Sequence, residues 1–168
     1  MILTTRNFAG FVLIASSLVL GTALLSQYWG GLAPCELCLL QRWPWDVAIV
    51  ISLVALLVGS RPALPWIALV LALVFAVSIV FASYHVGVEQ RWFAGPTACT
   101  ASGGATTIED MRRQILGTAP VLCDKVQWSL FGISLAGFNF LASLIMAAIC
   151  AAVFVRMRRP ASRIAAMA

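Results

Sequence analysis

Four stretches of about twenty residues, near 8–29, 39–59, 64–86 and 129–155, carry almost no charge. A hydrocarbon core of about 30 Å takes roughly 20 helical residues to cross, so each stretch is long enough to span a membrane. Backbone groups in lipid must be satisfied within the segment, which selects helices over open sheets. The alternating pattern of a transmembrane barrel strand is absent. Composition agrees: 62% of the 168 residues are hydrophobic and 10% charged, with a mean hydropathy of +0.99. A soluble domain carries about 25% charged residues, and this apolar content also excludes disorder. The expectation is an all-α membrane protein forming one integral membrane domain over 1–168.

The first run follows Arg6 and resembles a signal peptide. However, it exceeds the usual apolar length of about 7–15 residues and lacks an A-x-A site, so it is read as a retained anchor. The second and third runs are joined only by a few residues around Ser60-Arg61-Pro62, which predicts an antiparallel hairpin. Small residues recur on the fourth run (Gly132, Ala136, Gly137, Ser143, Ala147) and permit close helix contact. The simplest arrangement is an up-down bundle with both termini on one side. Two loops then share the opposite side, near 30–41 and 87–128. Within the longer loop, Thr106-Thr107-Ile108-Glu109-Asp110 has capping-box spacing. Ile108, Met111 and Ile115 fall on one face beyond it, which predicts a short horizontal helix, lying on the membrane surface or packed on the bundle.

Basic residues exceed acidic ones by 11 to 6, but they form no groove or stripe suited to nucleic acid. Arg156, Arg158, Arg159 and Arg163 follow the last apolar run as a cytoplasmic flank does. With Arg6 and Arg61 they place six basic residues on the termini side. Arg42, Arg91, Arg112, Arg113 and Lys125 place five near the loops. The dense tail leans toward cytoplasmic termini, while the counts alone do not decide.

The five cysteines carry the chemistry. Cys35, Cys38, Cys99 and Cys123 fall two per loop on one side, and Cys150 lies deep in the fourth run, where a cysteine packs as a small hydrophobe. Cys35-Glu36-Leu37-Cys38 is a Cys-x-x-Cys motif at the start of a membrane helix. A helix N-terminus, and Arg42 four residues on, would favour a thiolate at Cys38. The motif serves either redox or metal chemistry. The second pair, 24 positions apart, has the wrong spacing for an ordinary zinc site, which favours redox and no metal. A structural reading also stands: two loop disulfides could staple a non-enzymatic four-helix scaffold. Cys99–Cys123 would suit that use, and the small Cys35–Cys38 ring would not.

The segment Pro34-Cys35-Glu36-Leu37-Cys38-Leu39-Leu40-Gln41-Arg42 resembles the signature of the DsbB family, bacterial inner-membrane thiol oxidases. Tyr84-His85, the Cys99/Cys123 pair and Phe131-Gly132-Ile133-Ser134-Leu135-Ala136-Gly137-Phe138-Asn139 match the family's counterparts, so the resemblance covers nearly the whole chain. Gln41 stands where some members carry an acidic residue, and no role is assigned to it. Vitamin K epoxide reductase-type enzymes also combine four helices with two cysteine pairs, but their Cys-x-x-Cys lies late in the chain.

The resemblance implies a bacterial inner-membrane oxidase with cytoplasmic termini and periplasmic active loops. Cys99 and Cys123 would oxidise a periplasmic DsbA-type thioredoxin-fold partner. Cys35 and Cys38 would pass the electrons to ubiquinone or menaquinone, with Cys38 as the quinone-facing sulfur. Arg42 would hydrogen-bond a quinone oxygen, and His85 would flank the same site. Without the resemblance, Arg42 reads as an arginine snorkelling to the headgroups and His85 as an interfacial histidine.

Overall fold

The computed structural model describes residues 4–96, 107–109, 112 and 121–158. Four helices are long and apolar enough to cross a membrane. Helix α1 runs Thr5–Tyr28, capped by the Thr4 hydroxyl, which accepts from the Asn7 N–H. A short α2, Glu36–Leu40, precedes α3, Trp43–Val58; α4 is Leu64–Glu89 and α5 is Leu135–Arg158. A single 3-10 turn, Arg61–Ala63, links α3 to α4. The Thr5 hydroxyl donates to the Ser60 carbonyl and ties the start of α1 to that link.

The second expected span, 39–59, is interrupted at Gln41–Arg42. Pro44 is the cause: it has no N–H to continue the ladder, and its ring clashes with the carbonyl one turn earlier. The Trp45 and Asp46 N–H groups restart the ladder on the Arg42 carbonyl. The fourth expected span, 129–155, is helical only from Leu135 and continues to Arg158. Ser129–Leu130 (β1) instead pairs antiparallel with Ile133–Ser134 (β2). The turn residues Phe131 and Gly132 both have positive φ, 53° and 79°, the conformation of a tight hairpin turn that glycine adopts at little cost. Of the expected horizontal helix, Ile108, Glu109 and Arg112 are helical, and the rest lies outside the described residues.

Helix α4 packs along α5 and α1 along α3, and α3 against α4 joins the two pairs. The buried residues explain the packing. On α4 they fall at 64, 68, 71, 75, 78, 82 and 85, alternating steps of four and three, the pattern of a seam packed at a shallow angle; Gly87 and Val88 are buried as well at the loop end. Matching stripes are Ala48, Ser52 and Ala55 on α3, and Ser143, Met146 and Cys150 on α5. Many members are Ala or Ser, which lets helix backbones approach closely. Outward faces carry exposed apolar side chains such as Ile14, Leu57 and Val80, which need lipid as their solvent.

Candidate functional site

Toward the loop end of the bundle the same stripes continue with polar side chains. Gln41 stands four residues before Trp45, Asn139 three after Ala136, and His85 three after Ala82. Gln41 and His85 are buried and Asn139 is half-buried, so their polar atoms need partners. They find each other. The Trp45 indole Nε1–H donates to Asn139 Oδ1 at 2.8 Å, and Asn139 Nδ2 donates to Gln41 Oε1 at 2.6 Å. Gln41 Nε2 lies 2.6 Å from His85 Nδ1, and His85 Nε2 lies 3.6 Å from Cys35 Sγ. The Glu89 carboxylate, one turn beyond His85, is 4.0 Å from the same Nε2 and accepts from the Ser134 hydroxyl of β2.

Cys35 is the N-cap of α2. Its sulfur accepts the Cys38 backbone N–H at 3.2 Å and stands 2.8 Å from Cys38 Sγ. The helix N-terminus therefore serves Cys35 directly, where the sequence had pointed to Cys38. The hydrogen bond to Cys38, then burial, push the Cys35 thiol up to about 12, against an opposing pull from His85. Cys35 keeps its proton at neutral pH. Cys35, Leu37, Val88 and Cys123 form one buried cluster, with Cys38, Tyr84 and Val121 packed against it. Two cysteines that are 88 positions apart in the chain thus belong to one core. Cys99 lies outside the described residues. Cys150 sits in the apolar bundle core with Phe8, Phe75 and Met146.

Cys35, Cys38, Arg42 and His85 all line one cavity of about 490 Å³ between the helix ends. Its walls are mostly apolar, and include Val19, Leu20 and Ala23 of α1 together with Trp45 and Phe138. Arg42 reaches it despite the helix break. Its guanidinium donates to Gln27 Oε1 at 2.7 Å and approaches the Ala23 carbonyl at 3.5 Å, so further N–H groups of its five have no partner among the described residues. The cavity suits a flat apolar ring bearing carbonyl acceptors. Cys35, Cys38 and His85 also offer three possible metal-ligand atoms within 4.8 Å of one another.

Comparison with known proteins decides the family. The model of "Disulfide bond formation protein DsbB" matches residues 5–153. The chain belongs to the DsbB family. It is 27% identical over 155 residues to Disulfide bond formation protein B of Stutzerimonas stutzeri, covering 86% of this chain and 91% of that one. With the protein of the same name from Aromatoleum aromaticum it shares 26% over 167 residues, 93% and 95% of the two chains. A Rickettsia prowazekii relative named Uncharacterized protein RP370 is 28% identical over 140 residues, 80% of each chain. No solved structure matches. Membership in the DsbB family, with four candidate spans, makes this a multi-pass membrane protein of disulfide bond formation with oxidoreductase activity.

In the sequence alone, Gln41 has no assigned role, Asn139 stands only within a matching segment, and neither Trp45 nor Glu89 is named as a site residue. One signal was available: Asn139 is a polar residue inside an apolar run, and such residues mark function or helix contacts in membranes.

Proposed function

We propose that the protein is a membrane thiol oxidase that reoxidises a periplasmic DsbA-type thioredoxin-fold protein and sends the electrons through two cysteine pairs to membrane quinone. The observation that carries this reading is the shared apolar cavity, into which the Cys-x-x-Cys pair, Arg42 and His85 all open. The sulfur spacing favours exchange chemistry over metal: two thiolates on one tetrahedral zinc at about 2.3 Å would stand about 3.8 Å apart, against 2.8 Å here. A single membrane domain over 1–168, with cytoplasmic termini and periplasmic loops, completes the proposal; Arg158 stacked on Trp66 supports a basic termini side.

Thiol exchange proceeds by thiolate attack on a disulfide sulfur through a mixed disulfide. The partner's thiolate attacks Cys99 of a Cys99–Cys123 disulfide, and Cys123 leaves as a thiolate. The partner's second thiol resolves the mixed disulfide, so the partner departs oxidised and Cys99 is reduced. Cys123, packed in the same cluster as Cys35, attacks Cys35 of the Cys35–Cys38 disulfide and releases Cys38. Cys99 then attacks Cys123, restoring the loop disulfide and leaving Cys35 and Cys38 reduced. Two electrons and two protons have moved from partner to inner pair. Ubiquinone or menaquinone, when bound beside Cys38, would supply a two-electron acceptor for the reduced inner pair. Arg42 would hold one of its oxygens, with the guanidinium fixed by Gln27, and the apolar walls would exclude water.

The test uses purified protein in lipid nanodiscs with a reduced DsbA-type partner and a ubiquinone analogue. Loss of the quinone absorbance in step with partner oxidation is expected. Neither change would leave the stapled-scaffold reading in its place. For orientation, a membrane-impermeant thiol reagent should modify reduced Cys99 in intact spheroplasts. Modification only after permeabilisation reverses the topology.

A further inference from the structure

The hydrogen-bond chain that ends at His85 has a direction, and its first member sets it. An indole N–H can donate and cannot accept. The Asn139 atom facing Trp45 Nε1 at 2.8 Å must therefore be the oxygen. That turns the Asn139 amide nitrogen toward Gln41, whose facing atom must be the carbonyl oxygen. The amide nitrogen of Gln41 then faces His85 Nδ1. A nitrogen that receives this donor carries no hydrogen, so a neutral imidazole holds its hydrogen on Nε2. That nitrogen faces Cys35 Sγ and, farther off, Glu89 Oε1, and both of these can accept.

We propose that Trp45, Asn139 and Gln41 are positioning residues that hold His85 as the Nε2–H tautomer, with that hydrogen directed at Cys35. The three come from the start of α3, the start of α5 and the turn before α3; Trp45 and Gln41 are buried and Asn139 is half-buried. The consequence deepens the thiol-oxidase reading, on which it rests. A ring fixed in this form donates to the Cys35 sulfur, stabilising it as a leaving thiolate. It does not act as the base that removes the Cys35 proton. Gln41 is central, because a carboxylate at this position could still accept from Asn139 but could only accept from Nδ1, and would reverse the link to His85.

His85 is the sole histidine of the chain, so protein labelled with 15N-histidine reports one imidazole. Long-range proton–nitrogen correlation of the full-length protein in nanodiscs at alkaline pH shows which nitrogen carries the hydrogen. The wild type should show the N–H at Nε2 and a bare Nδ1. Gln41→Glu should move the hydrogen to Nδ1. Trp45→Phe keeps the ring packed on Phe75 but removes the donor, and Asn139→Leu removes the amide. Each should convert the single tautomer into an exchanging mixture. A wild-type Nδ1–H ring overturns the inference, as does an unchanged Nε2–H signal in both Trp45→Phe and Asn139→Leu. The readout needs neither partner nor quinone. An Nε2–H ring in a protein without thiol-oxidase activity would therefore support this inference while removing the functional reading.

Discussion

Cys150 and Cys35 are buried almost equally, at 0% and 3% exposed, yet their surroundings differ completely. Cys150 lies mid-helix among Phe8, Phe75 and Met146, where no polar group among the described residues addresses its sulfur. Cys35 caps a helix, accepts a backbone N–H, and stands within reach of Cys38 and His85. Burial alone makes a thiol a small apolar filler. Burial beside donors and a second sulfur makes a group whose proton and electrons can be directed. The bundle thus has two regimes along one set of stripes, apolar and small toward the middle, polar and networked at the loop end.

Cysteine substitution should break the comparison most sharply. Cys38→Ser should abolish turnover, since no sulfur remains to close the inner disulfide, while Cys150→Ala should leave turnover essentially unchanged. Cys99→Ser should stop oxidation of the protein partner yet spare reaction of the Cys35–Cys38 pair with a small dithiol and quinone. Steady-state rates with each reductant check all three. Equal loss in Cys150→Ala and Cys38→Ser would erase the distinction between the two regimes.

A smaller effect is expected at Arg42. Arg42→Lys keeps a cation able to reach the headgroups but loses the planar, multi-donor head. Losing one hydrogen bond to a charged group costs about 1.5–3 kcal/mol, or roughly ten- to a hundredfold in affinity. The apparent KM for quinone should rise by that factor while protein level and membrane insertion hold. Unchanged quinone kinetics would return Arg42 to a snorkelling role.

The third prediction concerns pH. Cys35 is raised from an ordinary 9.0 to about 12. Its thiolate is therefore scarcer by three pH units, about a thousandfold, at any pH below 9. Alkylation of the reduced protein at pH 7–8, read by mass spectrometry, should label Cys38 well before Cys35. Labelling of Cys35 should grow only as pH climbs toward the raised value. Replacing His85 by Ala removes the one partner that pulls Cys35 down, so Cys35 should then react more slowly still. Faster alkylation of Cys35 than of Cys38 at neutral pH would overturn the assignment of Cys35 as the protonated sulfur of the pair.

Much of this was legible in the sequence, and the misses have identifiable causes. Long apolar runs locate α1, α4 and most of α3 and α5, because crossing a membrane constrains length and polarity together. Hydropathy does not report backbone angles, so Leu130, Phe131 and Ile133 looked like helix when Phe131-Gly132 forms a hairpin turn. Pro44 was visible as a helix breaker, though its break at Gln41–Arg42 was not foreseen. Within the site, Cys35, Cys38, Arg42 and His85 were named from motif chemistry and meet in one cavity. Gln41 and Asn139 are 98 positions apart, and only the three-dimensional register brings them together. Extending the four-and-three stripe one step beyond its apolar members would have reached both.

The smallest effect compares two polar contacts between helices. In mid-bundle, the Ser78 and Ser143 hydroxyls bond each other at 2.8 Å, linking α4 to α5. At the loop end, Asn139 links α5 to both Trp45 and Gln41. A serine hydroxyl that loses its partner can turn back to the carbonyl four residues earlier in its own helix. Ser143→Ala should therefore cost only about 0.6 kcal/mol, the typical worth of a polar contact between membrane helices. Asn139→Leu strands the Trp45 N–H and the Gln41 carbonyl, and neither has an internal substitute. That change should cost about 1–3 kcal/mol, the penalty for unsatisfied buried polar groups. Unfolding in mixed micelles, followed by loss of helical circular dichroism, measures both. A Ser143→Ala cost as large as that of Asn139→Leu would show that mid-bundle polarity is as structurally committed as the network at the loop end.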